Sequence, residues 1–264
     1  MIKIVPALTY QQYDADYSLP HPGEGYGGWK KGDIPIDTEH TAISVMHAWD
    51  NGTLKEQEAI YRVCEYIPRG AEIIKDRFPL FLEKVRESGI KLIHIGSLSE
   101  KSVMSLPGYI RTSELCPEEE KREVIEPDDT LRKLREIHTE RVLYGHNTQG
   151  VAKARAVRDF AIMPRDDEDV ACTTRQLFEL CKRDRISHLI YTGFAINACL
   201  TMSPCGMLDM TRHGIMCSII KELTTAVENK ESCRREEHKE YGLWAFSLWG
   251  GYVFLQMDIE ENLL

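Results

Sequence analysis

The segment Leu189-Ile-Tyr-Thr-Gly193-Phe-Ala-Ile-Asn-Ala-Cys199-Leu-Thr-Met-Ser203 contains an apolar run, a glycine and a second apolar run. A β-strand that ends at Gly193 and leads into a helix accounts for this pattern, because glycine permits the sharp turn between the two elements. Cys199 is then expected in the first turn of the helix. The same arrangement places its thiol at the carboxyl edge of a sheet.

Segments of strand and helix character alternate outward from this segment in both directions. Apolar, β-rich runs predict strands at residues 41–46, 90–95, 160–163, 187–192 and 215–220, and helical spacing predicts helices at 72–88, at 174–183 and after Asn197. Strands that alternate with helices imply right-handed crossovers and a parallel sheet covered on both faces. We therefore expect an α/β protein of three layers, αβα, with a mainly parallel, doubly wound sheet that binds ligands at the carboxyl ends of its strands.

The chain divides into a main domain and two flanking segments. Residues 1–40, rich in Tyr, Gly, Pro and Asp, predict an irregular N-terminal arm, and residues 41–230 predict the domain, with an excursion at 98–157 that carries the charged run 117–123. Residues 231–264 predict a C-terminal extension that packs on the domain or on a neighbouring subunit. The arm contains a G-x-G-x-x-G match at 23–28, which we interpret as chance because no strand precedes it and no helix follows.

Composition excludes several classes of protein. The chain has 264 residues, 42% of them hydrophobic and 28% charged, and a formal net charge of −9, so nothing in its charge balance favours binding to nucleic acid. Eight cysteines without a C-x-x-C pair, and an N-terminus without a signal peptide, indicate reduced thiols in a cytoplasmic protein. Residues 186–208 lack charged side chains, but polar residues, Gly and Pro interrupt the run, so we expect no membrane association.

Two interpretations of Cys199 follow from its position alone. A thiol at a helix N-terminus and at a sheet edge favours the nucleophilic thiolate. A cysteine in an apolar run is also typical of a small buried core residue.

The interval from Gly193 to Cys199 resembles the cysteine segment of the isochorismatase-like cysteine hydrolases, the superfamily that includes nicotinamidases and N-carbamoylsarcosine amidases. The resemblance covers about residues 36–230. It implies that the peptide bond between Phe194 and Ala195 is cis and that Cys199 is the nucleophile. It also implies that the backbone N–H groups of Ala195 and Cys199 form the oxyanion hole.

The resemblance implies two further catalytic side chains, an Asp after the first core strand and a Lys from the middle of the chain. Alignment on the pair Trp49-Asp50 places His47 at the position of the Asp, whereas an ungapped alignment places Met46 there. His47 could act as base, because a Cys–His pair is a nucleophile–base arrangement, or it could be a satisfied polar residue at a strand end. Asp50 could orient His47, act as base itself, or cap the following turn.

The Lys of the resembled family falls on Arg165 or Asp166. Arg165 could supply the positive charge, or it could be an exposed residue that balances the acidic run around it. Lys153 and Arg158 lie upstream, and the sequence favours neither of them over Arg165 for the role of the Lys.

His94, Trp49 and Asn197 are expected to line the pocket, with a structural hydrogen-bonding role as the alternative for His94. The nine histidines contain no H-x-x-x-H pair and no Asp-x-His match, so we expect neither a metal nor another cofactor.

The resemblance implies a cysteine-dependent hydrolase that cleaves a small amide, imide or ureide through a Cys199 thioester. Because the expected Asp and Lys are missing, the alternative is a catalytically silent relative that binds a small metabolite or serves as a subunit. In either case we expect a small-molecule ligand and a homo-oligomer, either a dimer or a tetramer.

Overall fold

The computed structural model describes residues 1–116 and 123–264. The strands are β1 (Ile2–Gln11), β2 (Gly28–Asp37), β3 (Thr41–Met46), β4 (Trp49–Asp50), β5 (Lys91–Ile95), β6 (Asp159–Phe160), β7 (Asp169–Ala171), β8 (His188–Gly193), β9 (Met216–Thr224) and β10 (Val253–Phe254). The helices are α1 (Glu58–Val63), α2 (Ile67–Asp76), α3 (Phe78–Ser88), α4 (Pro107–Leu115), α5 (Asp129–His138), α6 (Thr148–Ala156), α7 (Thr174–Asp184), α8 (Cys199–Met202), α9 (Met207–Arg212), α10 (Glu237–Trp249) and α11 (Gln256–Asn262).

The main sheet has the strand order β2-β1-β10-β9-β8-β3-β5-β7. From β3 the chain builds outward through β5 to β7, then returns to the other side of β3 and builds outward through β8, β9 and β10. These six strands pair in parallel, and β1 and β2 are antiparallel at the edge. The expected α/β fold with a mainly parallel, doubly wound sheet is therefore confirmed. The strand order reverses between β3 and β8, which makes this the topological switch point of the sheet.

Helices cover both faces of the sheet, as a parallel sheet requires. Every residue of β3 and of β8 is buried. One core cluster packs the sheet against α7, α9 and α10, and a second packs the opposite face against α3 and α11. This three-layer arrangement leaves the ends of the strands as the place where polar side chains can meet.

The expectation of an irregular arm at residues 1–40 is wrong. These residues form the ten-residue antiparallel pair β1 and β2, with a register that runs from Ile2 opposite Asp37 to Gln11 opposite Gly28. Val5 and Ala7 alternate inward in β1, but the Gly- and Tyr-rich connection between the strands obscures this pattern in the sequence. The C-terminal extension also belongs to the sheet, since β10 lies between β1 and β9.

Other elements differ from the sequence prediction in their bounds. The helix predicted at 72–88 is two helices, α2 and α3, and Pro79 lies in the first turn of the second, where proline is tolerated. The strand predicted at 160–163 is the short β6, which pairs with β4 in a separate two-stranded sheet, and β7 was not predicted. The excursion at 98–157 contains α4, α5 and α6. Most of the charged run at 117–123 lies outside the described residues.

The uncharged run at 186–208 contains β8 and α8 rather than one long helix. Within residues 1–116 and 123–264, no helix has the length and apolar character needed to cross a bilayer.

Candidate active site

The strand register brings the residues that follow β3, β5 and β8 to one level at the switch point. Met46 pairs with Gly193 on one side and with Ile95 on the other. Beyond the strands, the N–H of His47 donates to the carbonyl of Ile95 at 3.0 Å, and the N–H of Phe194 donates to the carbonyl of Met46 at 3.1 Å. The segments that carry His47 and Cys199 therefore leave the sheet side by side.

Gly193 makes the turn out of β8, as the sequence predicts. Its φ is +114°, and a Cβ atom at this position would lie 1.9 Å from the carbonyl oxygen of Met46. No side chain fits here, because the contact is with backbone of the neighbouring strand. The peptide bond between Phe194 and Ala195 is cis, as the resemblance implies.

The loop between Gly193 and Cys199 is hydrogen-bonded to the segment after β9. The N–H of Ile196 donates to the carbonyl of Thr225 at 2.8 Å. The Asn197 side chain donates to the carbonyl of Val227 and accepts from its N–H, each at 2.8 Å. Asn197 was expected to line the pocket, but its amide oxygen and one amide N–H are used to fix the loop.

Cys199 is the first residue of α8, is partly buried and packs against the core. Among the described residues, the backbone N–H groups of Ala195 and Cys199 have no hydrogen-bond acceptor. Both groups are therefore available to a ligand oxygen. Two unpaired N–H groups beside a thiol are the arrangement that stabilises an oxyanion formed by attack of that thiol.

Arg158 supplies the positive charge in electrostatic range of Cys199. Burial lowers the pKa of its guanidinium, and the negative charges of Glu100 and of Cys199 as a thiolate oppose that shift. The guanidinium carbon lies 3.4 Å from the centroid of the Trp49 ring, and Nη2 donates to Oγ of Ser99 at 3.1 Å. Its buried Nε has no hydrogen-bond partner among the described residues.

Trp49 connects Arg158 to the end of β3. Its ring stacks on His47 with centroids 4.3 Å apart and an interplanar angle of 18°. Its Nε1–H donates to Oε1 of Glu100 at 2.5 Å, and the N–H of Ser97 donates to the same oxygen at 2.9 Å. Burial raises the pKa of the Glu100 carboxyl, and these two hydrogen bonds oppose the shift.

His47 is buried, with 8% of its surface exposed and a φ of +53°. Burial lowers the pKa of its imidazole to about 3, and the positive charge of Arg158 acts in the same direction. The ring forms no hydrogen bond with Cys199, and its buried Nδ1 has no hydrogen-bond partner among the described residues. A neutral ring of such low basicity, without a hydrogen bond to the thiol, does not support the expected role of general base.

Asp50 and Arg165 do not contact Cys199 either. Asp50 is exposed and accepts a hydrogen bond from the N–H of Gly52 at 2.8 Å, which is the turn-capping alternative. Arg165 is half exposed and forms an ion pair with Glu83 of α3 at 2.7 Å. Asp50 therefore has the turn-capping contact that was its alternative, whereas Arg165 is exposed as its alternative states but pairs with α3 and not with the acidic run around it.

His94 does not face the sheet edge as expected. It is fully buried, and its Nε2 lies 2.8 Å from Oε2 of Glu168, which also forms an ion pair with Arg86 of α3 at 2.6 Å. Burial would raise the pKa of the Glu168 carboxyl, but the hydrogen bonds from His94 and Arg86 outweigh it and hold the pKa well below its usual range. His94 thus has the structural hydrogen-bonding role that was the alternative.

A cavity of about 350 Å³ opens beside the cluster of Arg158, Trp49 and His47. It is lined by Asp50, Asn51, Gly52, Glu56, Gln57, Ile60, Ala154, Arg155, Val157, Arg158 and Asp159. Cys199 is not among these residues, but Arg158, which lines the cavity, lies within electrostatic range of its thiol. The volume suits a small polar molecule.

The sequence pattern favours Arg165 for the positive charge and gives no reason to prefer Arg158. It directly precedes β6, and the pairing of β6 with β4 brings it to Trp49. Each of these strands has only two residues, which is too short for periodicity to reveal.

None of the eight cysteines, all of which lie within the described residues, forms a disulfide bond. No group of three or more His, Cys, Asp or Glu side chains with the arrangement of a metal site occurs in the described part of the chain.

No protein-family model matches the chain, and no curated protein matches it. Among solved structures it is similar to a cysteine hydrolase from Pseudomonas syringae pv. phaseolicola 1448A, with 11% identity, coverage of 86% of this chain and 93% of that chain, and a TM-score of 0.48. It is also similar to an isochorismatase-like hydrolase from Alkaliphilus metalliredigens (18% identity, 84% and 96% coverage, TM-score 0.46). A third similar structure is a nicotinamidase from Staphylococcus aureus, with 14% identity, coverage of 81% of this chain and 97% of that chain, and a TM-score of 0.39. These similarities are similarities of fold alone.

Proposed function

We propose that the protein is a cysteine-dependent hydrolase of a small amide, imide or ureide. The observation that carries the proposal is the position of Cys199, at the switch point of the sheet and beside the unpaired N–H groups of Ala195 and Cys199 itself. Thiols in this position act as nucleophiles when a nearby cation favours the thiolate. Arg158 is a cation within electrostatic range of Cys199.

The reaction has two stages. The Cys199 thiolate attacks the carbonyl carbon, the C=O π electrons move to oxygen, and the N–H groups of Ala195 and Cys199 bind the resulting oxyanion. The C–N bond then breaks, the nitrogen takes a proton from water and leaves as an amine or ammonia, and a thioester remains, or a thiocarbamate when the substrate is a ureide. Water attacks the thioester, which releases the carboxylic acid, or a carbamic acid from a ureide, and regenerates the thiol.

Arg158 takes the electrostatic role expected of a lysine. A guanidinium keeps its positive charge even where burial lowers its pKa, because the unperturbed value is so high. Its contact with the Trp49 ring and its hydrogen bond to Ser99 hold it between the cavity and Cys199. Coulomb attraction between this cation and the thiolate is strengthened by partial exclusion of water.

In this proposal His47 positions Trp49 and does not take the proton of the Cys199 thiol. Its stacked ring fixes the indole on which Arg158 lies, and its neutral state adds no second positive charge to the cluster. Among the described residues no side chain is hydrogen-bonded to Cys199 as a base, so the thiol loses its proton to water before substrate binds.

Hydrolysis of a panel of small amides, imides and ureides tests the proposal. We expect the wild type to turn over at least one of them, Cys199→Ala to be inactive, and the wild type to form a thioester that intact-protein mass spectrometry detects. Cys64→Ala is the matched control, because Cys64 is another partly buried thiol near the site. Absence of turnover across the panel, or full activity of Cys199→Ala, would contradict the proposal.

Two arginine variants test the proposed charge. Arg158→Gln should lower kcat/KM about a hundredfold, the loss expected when one electrostatic contact to the reacting groups is removed. Arg165→Gln should leave kcat/KM unchanged, because its partner is Glu83 on α3.

A second candidate, a silent relative that binds a small metabolite, is favoured by the absence of a base hydrogen-bonded to Cys199 among the described residues. It predicts that panel compounds bind, as measured by calorimetry, without being hydrolysed.

A further inference from the structure

Helix α5 and the π-helical segment Thr139–Leu143 carry apolar side chains that are turned to solvent. No residue of α5 is buried, and the helix makes its main contacts with the π-helical segment that follows it. Leu134 is 58% exposed, Val142 66% and Leu143 48%. Together with Ile137, these three residues line a cleft of about 780 Å³. An apolar cleft of this kind on a charged protein marks an interaction surface.

The rim of the cleft is basic. Arg135 and Arg141 line it, and neither side chain has an ion-pair or hydrogen-bond partner within the described ranges. No acidic side chain lines the cleft. The charges on its rim are therefore complementary to an occupant that is apolar and acidic.

The chain carries a segment of this character immediately before α5. Val124 is 70% exposed and Ile125 is 89% exposed, and they lie between Glu123 and Glu126. This segment has no helix or strand structure. Because Ile125 is almost fully exposed, the segment does not occupy the cleft of its own chain.

We propose that residues 123–126 of a second copy of this chain occupy the cleft, in a two-fold symmetric dimer. A two-fold axis makes the exchange reciprocal, so that each copy provides one cleft and one acidic apolar segment. Each contact buries Val124 and Ile125 against Leu134 and Val142, and it pairs Glu123 and Glu126 with Arg135 and Arg141. The surface is separate from Cys199, and the inference does not depend on the proposed function.

Sedimentation equilibrium of the full chain, over a wide range of protein concentration, tests the proposal. We expect a wild-type dimer whose dissociation constant rises with salt, since the paired charges are exposed. Leu134→Glu should raise the dissociation constant about a hundredfold, because it removes a buried leucine from both symmetric contacts. Lys133→Glu is the matched control, since Lys133 precedes Leu134 but does not line the cleft, and it should leave the dissociation constant within about twofold of wild type.

A mixing experiment distinguishes reciprocal exchange from other dimers. Ile125→Asp should weaken the dimer as Leu134→Glu does. A mixture of these two variants keeps one intact segment and one intact cleft, so the mixed dimer should associate more strongly than either variant alone. Unchanged thermal unfolding of the monomers checks that both variants fold. A monomeric wild type, a Leu134→Glu dimer of wild-type affinity, or a mixture no stronger than its components would overturn the proposal.

Discussion

His47 should make the stability of the protein fall steeply with acid. Its ring is buried against Trp49, and its pKa is lowered from 6.5 to about 3, first by burial and then by the charge of Arg158. In the unfolded chain the imidazole is free to bind a proton near pH 6.5, whereas in the folded chain it stays neutral until about pH 3. The unfolded state therefore holds more protons between these two values, so stability is lost as the pH falls through this window.

The size of the effect follows from the shift. Between pH 6.5 and pH 4.5 a single histidine with these two pKa values lowers the unfolding free energy by about 2 kcal/mol. His47→Gln and His47→Phe both remove the titration, and the second also keeps an aromatic ring on Trp49. The two variants differ in stability at neutral pH, but both should lose about 2 kcal/mol less than the wild type as the pH is lowered over this range.

Urea unfolding followed by tryptophan fluorescence at a series of pH values measures this difference directly. Carboxylates that titrate in the same range are common to all three proteins and cancel in the comparison. If the wild type and both variants lose stability in parallel, His47 is not held neutral in the folded state, and the account of its burial is wrong.

Gly193→Ala should lower the unfolding free energy by about 3 kcal/mol, because the added methyl would meet the Met46 carbonyl oxygen at 1.9 Å in a backbone of positive φ. Gly89→Ala is the control. The φ of Gly89 is also positive, but nothing lies within 4 Å of an added Cβ atom, so a loss of about 1 kcal/mol is expected. Equal losses of unfolding free energy for the two variants in urea unfolding would refute the steric argument. Glu168→Gln should cost about 3 kcal/mol at pH 7, because it breaks a buried ion pair with Arg86. Since the pKa of Glu168 is held below its ordinary value of 4.5, the difference in unfolding free energy between variant and wild type should shrink as the pH falls below 4.5. A difference that does not change with pH in urea unfolding would contradict the negative charge assigned to Glu168.

Local sequence signals predicted the central part of the fold and the position of Cys199. The apolar run of β8, the glycine that ends it and the helix after Asn197 are all determined within a few residues of chain. The N-terminal hairpin was missed, since its two strands depend on pairing with each other and with β10, far away in sequence.

The residues around Cys199 were predicted less well for the same physical reason. Arg158 reaches the site through the pairing of two very short strands, which no local pattern encodes. His47 was placed correctly after β3, but its burial, and therefore its low basicity, depends on packing against Trp49. His94 lies on the strand predicted for it, but it pairs with Glu168 on the face covered by α3.

We propose Cys199 as a nucleophile that Arg158 supports, and the alkylation rates of individual cysteines provide a direct test of this role. Iodoacetamide labelling at pH 7, resolved by peptide mass spectrometry, compares Cys199 with Cys233, which is more exposed. We expect Cys199 to be alkylated about tenfold faster than Cys233 despite its lower exposure. Arg158→Gln should lower the alkylation rate of Cys199 and leave that of Cys233 unchanged. A Cys199 that reacts no faster than Cys233, or at the same rate with and without Arg158, would contradict it.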